Sequence, residues 1–165
     1  MTSVNEQFVE LVQQHAGILH KVTNAYCRER HDREDLAQEI VLQLWRSFAR
    51  YDRALRFSTW MYRIAMNVAI SHFRAVRTRG GEALPLDEVA AIPAGTDPAA
   101  ADDTRLLYDL IRELDELNRA LVVLYLDGYS HTEIAGVLGL TPTNVATRVN
   151  RIKDQLRNRY QEKSA

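Results

Sequence analysis

The chain has 165 residues, 46% hydrophobic and 26% charged, which suits one ordinary globular domain or two small ones. No apolar run approaches the ~20 residues that span a bilayer, and Met1-Thr-Ser-Val-Asn-Glu-Gln7 lacks the basic-then-apolar order of a secretory leader. A single cysteine, Cys27, excludes an internal disulfide, so the expected setting is a reducing one, the cytoplasm, without membrane insertion.

The net charge of −1 hides a segregated pattern. Residues 1–45 carry 4 basic and 7 acidic groups, whereas 46–79 carry 8 arginines and one acid. Residues 80–127 reverse this, with 3 arginines against 11 acids, and 128–165 return to 6 basic and 3 acidic groups. Two basic blocks therefore flank an acidic one. A polyanion-binding protein needs such blocks, because phosphate contacts and counterion release supply most of its affinity.

Residues 4–30 predict two helices with Phe8, Leu11, Val12, Ile18, Leu19, Val22 and Tyr26 in the core and a break near Gly17. The next helix is expected to open at Asp32 and run to Phe48, burying Leu36, Ile40, Leu44 and Phe48. Another of its faces carries Asp35, Gln38, Glu39, Leu42 and Arg46, where a leucine stands exposed among charges. That row suits a solvated surface or a protein-docking one, and periodicity does not separate the two.

A loop over 49–56 leads into a long helix with Ser58 as its expected N-cap and Met61, Ile64, Ala65, Val68 and Phe73 on its core side. Arg63, Asn67, Ile70, Arg74 and Arg77 recur at helical spacing, so three arginines and an asparagine share one side. Tyr51, Phe57, Trp60 and Tyr62 are interleaved with these basic groups. Such aromatics either fill the core or stack on unpaired bases, at ~1–3 kcal/mol per base. For the arginine row, nucleic acid is the favoured ligand.

Residues 80–102 hold three of the four prolines and three of the seven glycines, which predicts a flexible linker. As a random coil it would span roughly 25 Å. Apolar periodicity resumes with Leu106, Leu107, Leu110, Ile111, Leu114 and Leu117, and Asn118 is the expected cap of a helix carrying Leu121, Val122, Leu124 and Tyr125.

The stretch from Gly128 to Arg151 predicts a helix-turn-helix. Ser130 and Glu133 form a capping box, Gly139 supplies the left-handed stop, and Thr141-Pro142 starts the second helix. Val145, Val149, Ile152 and Leu156 give that helix a buried stripe, leaving Thr143, Asn144, Thr147, Arg148 and Arg151 for a DNA groove. The predicted fold is all-α, with helical domains over 1–79 and 103–165 joined by the linker 80–102.

Three segments in this order resemble a bacterial sigma factor of the extracytoplasmic-function (ECF) group, and the resemblance covers nearly the whole chain. They are Asp32-Arg-Glu-Asp-Leu-Ala-Gln-Glu-Ile40 with Trp45, Phe57-Ser-Thr-Trp-Met-Tyr-Arg-Ile-Ala-Met-Asn67, and the helix-turn-helix. The resemblance implies a subunit that joins core RNA polymerase, recognises −35 and −10 promoter elements and promotes melting. It implies polymerase contacts at Asp35, Gln38, Glu39 and Leu42. It implies capture of a flipped −10 base by Asn67 and the loop of Tyr51, Asp52, Arg53 and Ala54, beside the row of Arg63, Arg74 and Arg77. It further implies −35 reading by Thr143, Asn144, Thr147, Arg148 and Arg151, and admits an anti-sigma factor as partner. The chain departs from the family at Asn118-Arg119, where many members have a proline-rich helix start, and in the arginine-rich tip of 49–56.

Other classes compete with this reading, a helical adaptor without a nucleic-acid role being disfavoured by the segregated arginines. An enzyme is the poorest fit. Histidines 15, 20, 31, 72 and 131 show no metal-ligand spacing and no glycine loop cradles a phosphate, so no cofactor or metal is expected. An ordinary helix-turn-helix regulator with an N-terminal sensing or partner-binding domain is the stronger alternative, and it would bind duplex DNA alone.

Overall fold

Local start signals set out the helices of the computed structural model, which describes residues 1–78 and 98–164. Ser3 opens α1 (Val4–Gln14) with a capping box, its Oγ accepting from Glu6 N at 3.2 Å while Glu6 Oε2 accepts from Ser3 N at 3.0 Å. The chain breaks at His15, two residues before Gly17, and continues as α2 (Ala16–Tyr26). Helix α3 (Arg30–Ser47) begins two residues earlier than Asp32, because Glu29 O already accepts from Arg33 N at 3.0 Å. Leu36, Ile40 and Leu44 are wholly buried and Phe48 nearly so, as the predicted stripe requires.

A 3₁₀ turn over Phe48–Arg50 leads through the loop to α4 (Phe57–Thr78). This helix starts at Phe57, placing Ser58 inside it and not at the cap. Helix α5 (Pro98–Ile111) begins five residues inside the expected linker; the rest of that linker, up to residue 97, lies outside the described residues. The cap of α6 (Glu116–Leu126) is Asp115, which accepts from Asn118 N at 2.8 Å, so Asn118 sits in the first turn. Both are cap-type residues, and Asp115 takes the role because Leu114 before it is buried and Arg119 must turn inward.

The helix-turn-helix forms as predicted. Ser130 and Glu133 exchange two 3.1 Å bonds at the start of α7 (His131–Leu138), and Gly139 ends it at φ 71°. Thr141 Oγ1 then accepts from Asn144 N at 3.1 Å to start α8 (Pro142–Ser164), whose Val145, Val149 and Ile152 are buried.

These eight helices form an N-terminal half, α1–α4, and a C-terminal half, α5–α8, and one continuous apolar core runs through both. Helices α2 and α4 pack on α5, α6 and α7 across a seam. Tyr62 is wholly buried there and donates its hydroxyl to Asp127 Oδ2 at 2.7 Å, while Lys21 Nζ lies 2.6 Å from Asp127 Oδ1. Arg119 is buried between Phe73 and Tyr26, its guanidinium 4.5 and 5.7 Å from their ring centroids. It donates to the carbonyls of Leu114, Ala25 and Arg112, so no hydrogen-bonding arm of this charge faces bare hydrocarbon. Cys27 is buried at the end of α2, near Arg112 and Arg119, and burial pushes its thiol up to about 12.

Candidate functional site

Three exposed surfaces gather the residues that the sequence singles out. The first is the outer face of α8. Thr143, Asn144, Thr147, Arg148 and Arg151 line one concavity of ≈ 560 Å³, together with Asn118, Thr141, Ile152 and Gln155. Arg148 is half-buried, and its Nε donates to Asn144 Oδ1 at 2.8 Å and its Nη1 to Asn118 Oδ1 at 3.2 Å. Thr147 Oγ1 is turned back to the Thr143 carbonyl at 3.1 Å. Arg151 is exposed and makes no side-chain hydrogen bond or ion pair among the described residues. Asn118 and Gln155 join this surface without having been expected on it. Gln155 follows Arg151 by one helical turn, a usable signal; Asn118 arrives from α6, and no periodicity reveals it.

The second surface is α3, which stands as a ridge between two grooves. Asp35, Gln38, Glu39 and Leu42 are all exposed along it, Leu42 by 45%. On one flank Gln38 and Leu42 border an apolar cleft with Val9, Val41 and Trp45. Trp45 is 43% exposed and packs edge-on against Phe8, ring centroids 5.1 Å apart. Trp45 and Val9 thus add apolar surface beside the face of Asp35, Gln38, Glu39 and Leu42. Trp45 follows Leu42 by three residues, so helical spacing places it on the same face.

On the other flank Glu39 looks into a groove of ≈ 670 Å³ shared with α4, lined also by Gln43, Ser71, His72 and Asn67. His72 Nδ1 lies 3.2 Å from Glu39 Oε2. Asn67 is exposed and opens into this groove.

The arginines of α4 part company with Asn67. Arg74 Nε donates to Glu116 Oε1 at 3.0 Å, and Arg77 Nη1 lies 3.8 Å from Glu116 Oε2. Arg63 Nη2 reaches the Gly136 carbonyl at 3.5 Å. All three therefore face the C-terminal half, and the single side expected from periodicity is divided between a seam and a groove. Glu116 responds to this setting: a hydrogen bond at its own backbone and one from Arg74 hold its carboxyl below the ordinary range.

Three of the four aromatics interleaved with these arginines are core. Phe57 and Trp60 are buried, and Tyr62 is sealed in the seam. Tyr51 is partly buried, its ring packing 4.9 Å from Trp60 and 5.6 Å from Phe57. The 51–54 loop is a closed turn, with Asp52 Oδ1 accepting from Ala54 N at 2.9 Å and Tyr51 donating to the Leu55 carbonyl at 2.7 Å. Arg53 is tied to Gln7 Oε1 at 3.2 Å, and Asp52, Arg53 and Ala54 remain exposed.

Among the described residues no group of three His, Cys, Asp or Glu could hold a metal, and no helix is long and apolar enough to cross a membrane.

Comparison with known proteins places the chain in one family. Residues 11–79 match sigma-70 region 2, and residues 104–156 match sigma-70 region 4. The chain is 35% identical over 159 residues to the ECF RNA polymerase sigma factor SigE of Mycolicibacterium smegmatis, covering 90% of this chain and 60% of that relative. It is 31% identical over 155 residues to the sigma factor CarQ of Myxococcus xanthus, covering 92% and 88%. The fold matches the sigma factor RpoE crystallised with the anti-sigma factor NepR from Bartonella quintana, at TM-score 0.75, 19% identity and coverage of 92% and 95%. It also matches CnrH bound to the cytosolic domain of CnrY, at TM-score 0.68, 22% identity and coverage of 94% and 88%. The chain belongs to the ECF group of sigma-70-type RNA polymerase sigma factors. This is a family of transcription initiation factors, and the ordinary-regulator reading is not favoured.

Proposed function

We propose that this chain directs core RNA polymerase to promoters, with the N-terminal half docking on polymerase and taking the −10 strand while the C-terminal half reads the −35 duplex. Polymerase meets the α3 ridge of Asp35, Gln38, Glu39 and Leu42, with the apolar cleft beside Trp45 enlarging the contact. Asn67 and the exposed part of the 51–54 loop receive an unstacked −10 base, and Thr143, Asn144, Thr147, Arg148 and Arg151 enter the −35 major groove. The partners are core polymerase, promoter DNA and, as a third candidate, an anti-sigma factor. The protein acts in the cytoplasm and does no catalytic chemistry of its own.

The observation that carries this reading is the placement of Asn67. Its amide offers two donors and an acceptor, and it opens into a groove whose other wall is the proposed docking helix. A base edge held there must have left its stack, since an unstacked base is what exposes a Watson–Crick edge. The arginines along α4 add phosphate contacts that position a strand without reading it. Glu116 competes with a phosphate for Arg74 and Arg77, so loosening that contact favours −10 engagement.

Run-off transcription with core polymerase tests the reading. Asn67→Ala should leave core binding intact, blunt −10 selectivity and be partly rescued by a pre-melted bubble, which removes an unstacking cost of a few kcal/mol. Equal activity of both proteins on every −10 variant would remove the base-capture role. Reversing charge at Asp35 and Glu39 together should weaken core binding while helicity by circular dichroism is unchanged.

A further inference from the structure

We infer that Asn118, oriented by Asp115, is a positioning residue that aims Arg148 at a guanine of the −35 element. The inference rests on the −35 reading of α8 and deepens it. Asp115 has two jobs at the start of α6. Its Oδ1 accepts from Asn118 N at 2.8 Å, which caps the helix, and its Oδ2 accepts from Asn118 Nδ2 at 3.3 Å. The second bond fixes the asparagine amide. Turned over, the amide would set its oxygen against the carboxylate and its NH₂ against a guanidinium. Held this way, Asn118 Oδ1 is presented to Arg148 Nη1 at 3.2 Å, across 30 residues of chain.

Arg148 is thereby gripped twice, since Asn144 Oδ1 takes its Nε–H at 2.8 Å. Two of the five guanidinium N–H bonds are used, and one on Nη1 and both on Nη2 remain. Those two terminal nitrogens are what a bidentate contact to guanine O6 and N7 requires. Both grips come from neutral amides, so the arginine keeps its full positive charge for DNA. Its rotamer is also fixed before DNA arrives, which lowers the ordering cost of binding. Arg151 has no such grip among the described residues and is free to follow a phosphate. Neighbouring arginines on one helix are thus assigned different duties: Arg148 discriminates and Arg151 anchors.

The test uses the full chain with core polymerase on promoters carrying each base at every −35 position, at several salt concentrations. Wild type, Asn118→Ala, Asp115→Asn and Arg148→Ala are compared, with circular dichroism as a check on helix content. Asn118→Ala should cut the guanine preference at one position by roughly three- to tenfold and leave preferences elsewhere and the salt slope unchanged. Asp115→Asn preserves a good N-cap residue but not the fixed amide, so its loss at that position should be smaller. Arg148→Ala should abolish the preference at the same position. Selectivity unchanged in Asn118→Ala but lost in Arg148→Ala would overturn the positioning role alone. A uniform loss over all templates in Asn118→Ala would overturn it as well, by making Asn118 a backbone contact or a structural residue. If Arg148→Ala alters no −35 preference, the −35 reading itself fails and takes this inference with it.

Discussion

Arg74 and Arg77 of α4 and Arg148 and Arg151 of α8 meet opposite fates. Arg74 and Arg77 lie against a carboxylate, Glu116, contributed by the other half of the chain. Arg148 is held by the oxygens of Asn144 and Asn118, and Arg151 by nothing among the described residues. A carboxylate occupies a cation as a phosphate would, whereas an amide orients it and leaves the charge intact. On the proposed reading, the C-terminal surface offers its charge to DNA as it stands, whereas Glu116 competes with DNA for Arg74 and Arg77 of the N-terminal one.

The comparison breaks most completely at Asp127. Asp127→Ala removes the acceptor of a sealed tyrosine hydroxyl and the partner of Lys21, and an orphaned buried donor costs ~1–3 kcal/mol. Small-angle scattering, or energy transfer between labels in α1 and α8, should report halves further apart than in wild type. Unchanged dimensions would mean that the apolar packing holds the seam without this contact.

Glu116→Gln should act more weakly, by about 1 kcal/mol or less, since Arg74 and Arg77 are largely solvated. Its signature is an increase of a few-fold in affinity for a single-stranded −10 oligonucleotide, lost in high salt. The same carboxylate sets the acid limit of the seam. Its pKa is depressed in the folded chain, so its contribution is complete above the ordinary carboxylate range and disappears as pH falls through the folded value. At the alkaline limit the sign is opposite. Burial raises the pKa of Tyr62 and Tyr26, so their contribution is complete below the ordinary phenol value near 10 and declines above it. Label distance against pH should give a plateau between those limits; a plateau that bends near pH 6.5 would implicate histidine instead.

The smallest effect is expected from Arg63→Ala. Its 3.5 Å approach to the Gly136 carbonyl is at the long limit for a hydrogen bond, so the seam should change by less than ~0.5 kcal/mol. Strand binding should nevertheless fall, because a cation on the proposed −10 side is gone. Arg63→Ala and Glu116→Gln would then move strand affinity in opposite directions.

Features governed by near neighbours are legible in the sequence itself. Ser130 with Glu133, Gly139 and Thr141 with Pro142 act within one turn, and the stripe of Leu36, Ile40 and Leu44 needs only a helical period. What escapes depends on contacts between distant parts of the chain. Tyr62 stands among arginines in the sequence, as a base-stacker would, and its true partner, Asp127, lies 65 residues on. Arg119 is covered in the fold by the rings of Tyr26 and Phe73, from segments far off in the chain. Asn118 has the residue type of a helix cap; its contact with Arg148 exists only once α6 and α8 cross. The division of the α4 row has the same origin, since periodicity defines a side without saying what will cover it.

Cys27 turns the seam into something that can be timed. Its thiol is the chain's only one and, with a pKa pushed up to about 12 by burial, carries almost no thiolate while it stays buried. Exposed, a thiol of ordinary pKa near 8.5 would be about a thousandfold more nucleophilic in slightly alkaline buffer, through its thiolate fraction alone. Alkylation of this single side chain therefore works as a clock, ticking only in molecules whose α2 has lost its cover. Where labelling outpaces reclosing its rate gives the frequency of opening, and where it does not the rate scales with the open fraction. Core polymerase or promoter DNA would declare its effect on the closed state by speeding or slowing that rate.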